Sequence, residues 1–235
     1  MKANSNRYLL EVIKKRGLGA EVVSLGELKL ALEIGFNSIV MSGVGKTDKQ
    51  IKTAIIHDID SINVESIEEL EIVNNIASSL NKTAKISLRV NPNVDPLTHK
   101  AITTGLYENK FGINFEKLNS ALQKIKKSKS LEFIGLHFHI GSQIIDMSVY
   151  RNLCLRVNEI VSFVIEKNFS IRMLNLGGGL GIDYHNPDSF PMFKEYFESL
   201  ERFLEYKRNI TLCAEPGRSV VGQCGSLITK VLFKK

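Results

Sequence analysis

Cysteine is scarce in this sequence and long apolar runs are lacking, and these two features exclude several classes of protein. The three cysteines, Cys154, Cys213 and Cys224, are too far apart for a CxxC metal or redox motif, so we expect no metal site and free or buried thiols. No apolar stretch approaches the roughly 18 residues that a transmembrane helix needs. The N-terminal MKANSNRYLL also lacks the charged and apolar regions of a signal peptide. We therefore expect no membrane association and a cytoplasmic location.

The positive charge of the chain is moderate and locally clustered. The formal net charge is +6, and the densest cluster consists of Lys124, Lys126, Lys127 and Lys129. No aromatic residues lie between these lysines, as a base-stacking surface would require. The cluster also ends a predicted helix, where cations interact favourably with the helix dipole. We interpret it as a solvated helix end and expect no nucleic-acid binding.

Short β-branched runs alternate with amphipathic helical stretches along the chain. This alternation is typical of a parallel sheet with helices packed outside it, and 235 residues that are 43% hydrophobic are enough for one large core. The sequence predicts strands at 21–24, 38–42, 61–64, 85–91, 133–140, 171–176 and 210–215.

Helical segments are predicted between these strands. Residues 8–15 read as a helix, and two capping-box patterns, Ser24 with Glu27 and Ser66 with Glu69, mark helix starts. A further amphipathic helix is indicated by apolar residues at helical spacing, namely Leu153, Val157, Ile160, Val161 and Val164.

The seven predicted strands are one fewer than a closed (β/α)8 barrel contains. Residues 2–6, directly followed by a helix, read as the end of a missing first strand, and residues 222–235 turn strand-like without a partner. The predicted fold is therefore α/β: a TIM-type (β/α)8 barrel over 1–218 that lacks most of strand 1. Residues 219–235 are predicted to be only the start of a C-terminal β domain.

Polar residues and glycines collect where the predicted strands end, and this is the edge at which parallel barrels carry their chemistry. The glycine run at 177–179 follows a strand and precedes a predicted helical segment, so its N–H groups and a helix dipole could bind an anion. Ser142 could be a helix cap or a phosphate donor. The residues at these ends are Arg89, Asn91, His137, His139, Gly141, Ser142, Gly177, Gly178, Gly179, Glu215, Pro216, Gly217 and Arg218.

Two glycine-rich patterns are not nucleotide-binding motifs. The GVGKT at 43–47 suggests a P-loop, but the position that requires another glycine holds Val40. The GGGLG at 177–181 suggests a dinucleotide fingerprint, but GxGxxG would need glycine at Ile182.

The order of motifs resembles one family. The segments MKANSN, EVVSLGEL, SLRVNPNVDPLTHKAITTGLYENKFGI, GLHFHIGSQI, LNLGGGLGIDY and AEPGRSVV are similar to diaminopimelate decarboxylases. These belong to the alanine-racemase-like group of pyridoxal 5'-phosphate (PLP) proteins, with ornithine and arginine decarboxylases as relatives. The resemblance runs from residue 1 to 235, and HFHIGSQ and the VNPNVDPLTHKAITTG-to-KFGI block are its most specific parts. It implies PLP-dependent decarboxylation of meso-2,6-diaminopimelate to L-lysine and CO2.

The resemblance assigns roles around the cofactor ring. Lys2 matches the catalytic lysine that holds PLP covalently, and His139 matches the histidine that stacks on the ring. Glu215 matches the carboxylate that faces the pyridine nitrogen, where it favours the protonated ring that accepts electrons best. Arg89 matches an arginine at the rim, near the ring. His137 is given no catalytic role, because it is expected to lie in a second layer.

The resemblance also assigns the other end of the cofactor. Arg218 matches a residue that binds both the phosphate end and a substrate carboxylate. The remaining phosphate ligands by resemblance are Ser142, Gly177, Gly178, Gly179 and Gly217, and Pro216 lies in the same cofactor-binding segment. One departure is Glu21, where relatives commonly carry aspartate, so its local geometry differs by a methylene.

The resemblance further implies segments outside these 235 residues. Family members have residues before the lysine and a C-terminal β domain that carries a cysteine proton donor, partly contributed across a homodimer; Cys213 and Cys224 do not match that cysteine. We therefore expect the isolated chain to be weakly active or inactive. The alternatives are another decarboxylase of the same group, acting on ornithine, arginine or carboxynorspermidine, and a non-catalytic PLP-binding or interaction fragment.

Overall fold

The computed structural model describes residues 1–97, 111–186, 189, 191–226 and 228–234. Part of the specific VNPNVDPLTHKAITTG motif therefore lies outside the described residues. The strands are β1 (Ala20–Val22), β2 (Ile39–Met41), β3 (Ser61–Val64), β4 (Ala84–Asn91), β5 (Ile113–Asn114), β6 (Leu131–His137), β7 (Met173–Asn175) and β8 (Thr211–Cys213). The helices are α1 (Arg7–Lys15), α2 (Leu25–Ile34), α3 (Asp48–Ile56), α4 (Ile67–Ser79), α5 (Phe115–Lys127), α6 (Met147–Glu166), α7 (Phe193–Phe203) and α8 (Gly217–Val221).

The strands form one curled parallel sheet in the order β1-β2-β3-β4-β6-β7-β8, with the short β5 paired to β4. All seven predicted strands are confirmed, most of them shorter than predicted. Within the described residues, β1 pairs only with β2 and β8 only with β7. The sheet is therefore an open barrel, and its seam lies where the sequence predicts that a first strand is missing.

Hydrogen bonds at the helix starts explain why strands give way to helices there. Ser24 Oγ accepts the Glu27 N–H at 3.2 Å, while the Glu27 carboxylate accepts the Val23 N–H at 2.7 Å. Ser66 and Glu69 repeat this arrangement at α4. In both cases the glutamate reaches one residue further back than a capping box predicts. A full capping box, Thr47 with Gln50, occurs at the end of the GVGKT segment instead.

The core lies between the sheet and the surrounding helices. The apolar stripe predicted at 153–164 is buried along α6, and Tyr150 of α6 packs edge-on against Tyr196 of α7 with ring centroids 4.8 Å apart. Gly135 of β6 is required by close packing, because a Cβ there would lie 1.7 Å from the carbonyl oxygen of Met173 in β7. Among the helices of the described residues, none combines the length and hydrophobicity needed to span a membrane.

The C-terminal segment differs from the prediction. No strand occurs in the described residues 222–226 and 228–234, so the strand-like prediction is wrong for them. Strands need a hydrogen-bonding neighbour, and here Ile228 and Phe233 are 92% and 91% exposed. Helix α8 also crosses the predicted boundary at 218/219. Cys154, Cys213 and Cys224 are free thiols, as predicted.

Candidate functional site

Four strands deliver polar side chains to one end of the sheet. The parallel register aligns Arg89 of β4 with His137 of β6, His137 with Asn175 of β7, and Asn175 with Cys213 of β8. Glu215 follows two residues after Cys213. The prediction that polar residues meet at the carboxyl ends of the strands is therefore confirmed for Arg89, His137 and Glu215.

The Glu215 carboxylate is the centre of this cluster. Its Oε1 accepts a hydrogen bond from Asn175 Nδ2 at 2.8 Å, and its Oε2 lies 3.6 Å from His137 Nε2. Burial raises the pKa of Glu215, although the nearby His139 and the bond from Asn175 oppose the rise. The sequence analysis does not predict Asn175 as a site residue. Its position could have indicated one, because it is a polar residue at the end of a buried strand, two positions before the first glycine of the run.

Glu21, on the edge strand β1, lies close to this cluster. Burial, followed by the charge of Glu215, raises the pKa of Glu21. The N-terminal ammonium of Met1 donates to the Glu21 carbonyl at 2.8 Å. Glu21 is therefore within electrostatic range of Glu215.

The two histidines differ in exposure but are both neutral at pH 7. His137 is buried and His139 is half-buried. Burial, and then the charge of Arg89, lowers the pKa of each imidazole to about 3. His139 Nδ1 accepts the Gly178 N–H at 3.1 Å, which fixes the ring beside the glycine run.

The glycine run is needed for close approach of three strand ends. A Cβ on Gly177 would lie 2.1 Å from the carbonyl oxygen of Phe138, and one on Gly178 would lie 2.2 Å from that of Glu215. Gly177 and Gly179 also have positive φ values of 69° and 110°, which favour glycine.

Two of the three N–H groups of the glycine run, which are predicted to bind an anion, donate to side chains of the chain instead. The Gly177 N–H donates to Asn175 Oδ1 at 2.9 Å, and that of Gly178 donates to His139. Within the described residues, only the Gly179 N–H of the three has no partner. The expectation of a helix dipole behind the run is wrong, because the left-handed turns lead into an extended bridge at Leu180, and α7 begins only at Phe193.

Ser142 and Arg218 form a second group of donors beside this run. Ser142 is not a helix cap, since the N-cap of α6 is Asp146. Arg218 Nη2 lies 3.4 Å from Ser142 Oγ, and Arg218 Nη1 bonds to the hydroxyl of Tyr184. Arg218 Nε is buried and has no hydrogen-bond partner among the described residues. Unpartnered donors next to a hydroxyl and a guanidinium are suited to an oxyanion. Tyr184 was not predicted.

The segment before Arg218 connects these donors to Glu215. The Gly217 N–H donates to the Glu215 carbonyl at 2.7 Å, and the Pro216 carbonyl accepts the Val220 N–H at 3.0 Å. Both residues therefore shape the turn into α8, and the Gly217 N–H is already paired within it.

Lys2 and Arg89 lie on different sides of the site. A Cβ on Gly217 would lie 3.2 Å from the Cβ of Ala3, so the N-terminal segment crosses the seam towards α8. Lys2 is close enough to the site for its charge to contribute to lowering the pKa of His139. Arg89 is a buried floor residue, not a rim residue, because it pairs with the buried Glu65 at 2.6 Å.

The residues present fit a phosphorylated aromatic cofactor with a basic ring nitrogen. An exposed amine, a fixed neutral imidazole, a half-buried carboxylate and unpartnered anion donors meet at one mouth. The fold and the site together define a cofactor-binding protein of the PLP-dependent α/β-barrel class.

The comparisons identify the family. Residues 1–222 match the family model described as "Pyridoxal-dependent decarboxylase, pyridoxal binding domain", and the chain belongs to this family. It is 47% identical over its whole length to a diaminopimelate decarboxylase of Bacteroides thetaiotaomicron, covering 62% of that protein. It is 43% identical, again over its whole length, to one of Aquifex aeolicus, covering 56%.

Solved structures give the same picture. A diaminopimelate decarboxylase mutant from Helicobacter pylori, complexed with L-lysine, matches with a TM-score of 0.87 and 37% identity over 93% of this chain and 56% of that chain. An arginine decarboxylase of Paramecium bursaria Chlorella virus matches with a TM-score of 0.76 and 25% identity, over 92% and 55%. The chain thus spans little more than half the length of these relatives.

Proposed function

We propose that this chain is the PLP-binding part of a decarboxylase that converts meso-2,6-diaminopimelate to L-lysine and CO2. The observation that carries the proposal is the meeting of Lys2, His139 and Glu215 at one end of the sheet. The names of the most similar relatives supply the substrate.

In this proposal the cofactor would be held at four places. Lys2 binds it covalently, His139 stacks against its ring, and Glu215 faces the ring nitrogen. The phosphate is bound by the Gly179 N–H together with Ser142 and Arg218, whose donors lie beside one another. Gly177, Gly178, Pro216 and Gly217 support these groups through the hydrogen bonds and close contacts described above.

When bound, PLP accepts the electron pair that decarboxylation leaves on the α-carbon. The chain contributes the surroundings of that reaction. His139 would lie against the ring as a neutral imidazole, and the Arg218 fork can bind a substrate carboxylate. Arg89 supports the floor of the site through Glu65.

An arginine, ornithine or carboxynorspermidine decarboxylase is less well supported. The viral arginine decarboxylase is 25% identical to the chain, against 47% for the Bacteroides diaminopimelate enzyme. The homodimer, the cytoplasmic location and the absence of nucleic-acid partners are further proposals. The homodimer rests on the resemblance, and the cytoplasmic location rests on the lack of a signal-peptide pattern and of long apolar runs in the sequence. The lysines that could have suggested nucleic acid end α5, where Lys124 pairs with Glu71.

Cofactor binding is tested on the purified chain. PLP should be taken up, and borohydride reduction should leave it attached to the peptide that contains Lys2. The Lys2→Arg variant should lose this attachment, whereas Lys129→Arg, an exposed lysine before β6 at the other end of the sheet, should keep it. Attachment at another lysine, or no uptake by the wild type, would contradict the proposal.

The substrate is tested by CO2 release from the PLP-loaded chain. Release should be faster with meso-2,6-diaminopimelate than with L-arginine, L-ornithine or carboxynorspermidine. Faster release with one of the other three would replace the assigned substrate. PLP uptake without release from any of them would agree with the expectation that the isolated chain is weakly active or inactive, and the same substrates tested on a full-length version would then decide between the decarboxylase and the non-catalytic alternative.

A further inference from the structure

His137 is a buried ionisable group to which the proposed function gives no task. It ends β6, in register with Arg89 on one side and Asn175 on the other. Only 2% of its side chain is exposed. Neither ring nitrogen has a hydrogen-bond partner among the described residues, although buried polar atoms in proteins are nearly always paired.

One carboxylate oxygen lies close to a ring nitrogen of His137 and could accept its N–H group. A neutral imidazole carries one N–H and one acceptor nitrogen. The nearby cations are already paired, Arg89 with Glu65 and Lys46 with Glu69, each at 2.6 Å. Glu215 Oε2 lies 3.6 Å from His137 Nε2, just beyond hydrogen-bond distance.

Glu215 needs such a partner. Asn175 donates to Oε1 alone, so a second donor on Oε2 would stop the carboxylate from rotating about its last bond. A charged histidine would instead neutralise Glu215 and compete with the cofactor's ring nitrogen for it. Burial and the charges of Arg89 and Lys46, opposed by Glu65, hold the pKa of His137 near 3, which prevents that competition.

We propose that His137 is a positioning residue for Glu215: its neutral imidazole, protonated on Nε2, donates to Oε2 and, with Asn175, fixes the carboxylate that meets the ring nitrogen of the cofactor. The contact between His137 and Glu215 is a property of this chain alone, whereas its effect on the cofactor rests on the proposed function.

The first test uses the chain without cofactor. Nitrogen-15 NMR of labelled histidine should show His137 as the neutral Nε2–H form, unchanged between pH 8 and pH 5, with a signal that shifts in a Glu215→Gln variant. A His137 that titrates in this range, or that carries its proton on Nδ1, would overturn the proposal. This reading does not depend on PLP uptake or on whether a His137 variant folds.

The second test uses nitrogen-15-labelled PLP. His137→Leu should weaken PLP binding on the order of tenfold, because one hydrogen bond to a charged group is lost, and should reduce the fraction of bound PLP with a protonated ring nitrogen. His137→Gln, whose amide can reach the same place, should restore most of both. Ser87→Ala, which removes a buried bond to Ser61 elsewhere in the sheet, should change neither.

The outcomes separate the two proposals. If the wild-type chain takes up no PLP, the proposed function fails and the first test alone decides the role of His137. If the wild type binds PLP and His137→Leu matches it in affinity and in ring-nitrogen signal, the positioning role is wrong while the proposed function stands.

Discussion

Two carboxyl groups, Glu21 and Glu215, lie within electrostatic range of each other at the mouth of the sheet. The consequence can be measured as a pH dependence of stability. Burial and Glu215 raise the pKa of Glu21 from 4.5 to about 7. A raised pKa means that the folded chain holds this proton more tightly than the unfolded chain. Its contribution to stability is therefore complete below pH 4.5 and is lost as the pH rises through about 7.

Glu21→Gln should remove this loss. We expect the variant to become more stable relative to wild type between pH 5 and pH 8, with its relative free energy of unfolding rising by on the order of 2 kcal/mol. Urea titrations at the two pH values measure it. The exposed Glu198→Gln should show an equal difference from wild type at both values. A Glu21→Gln effect that is also constant with pH would contradict the prediction.

At the scale of secondary-structure elements, Gly135 allows β6 and β7 to pair. Gly135→Ala should destabilise the chain by about 3 kcal/mol or more, because its Cβ would meet the Met173 carbonyl at 1.7 Å. Gly45→Ala is the matched control, since nothing lies within 4 Å of the added atom. Thermal unfolding of both variants tests the difference, and equal stability would show that β6 and β7 can separate at no cost.

The start of α4 depends on a side-chain cap. Ser66→Ala should lower the free energy of unfolding by about 1 kcal/mol, because the Glu69 N–H loses its acceptor. Ser78→Ala, an exposed serine in the last turn of the same helix, should be neutral or slightly stabilising. If the two variants are equally stable in urea titrations, the cap contributes nothing.

The sequence predicts a strand or helix correctly where neighbouring residues alone determine the structure. The strand at 61–64 was predicted with its observed bounds, since β-branched and polar residues there end abruptly at a helix cap. The helix expected after Gly179 was not found, because two left-handed glycines direct the chain into an extended path. The Glu215 contacts with Asn175 and His137 could not be read from spacing, because they depend on the register of three strands.

At the scale of the whole molecule, the C-terminal segment adds little to the fold. Ile228, Val231, Leu232 and Phe233 are at least 75% exposed. Deleting residues 225–235 should leave the melting temperature within about 1 °C of that of the full chain, since the described residues of this segment are exposed and bury hardly any area. The deletion should also reduce aggregation by removing an exposed apolar patch. A melting temperature lower by several degrees would show that this segment packs against the barrel.

The open seam gives the cofactor a second effect. Lys2 precedes the first strand and Glu215 follows the last, and within the described residues these two strands do not pair with each other. A ligand attached to both residues would join the two edges of the sheet through its own atoms, and a ligand that binds only the folded chain stabilises it by an amount that rises with the logarithm of the free ligand concentration. Supplying the cofactor would then make the folded chain more resistant to unfolding across the open seam.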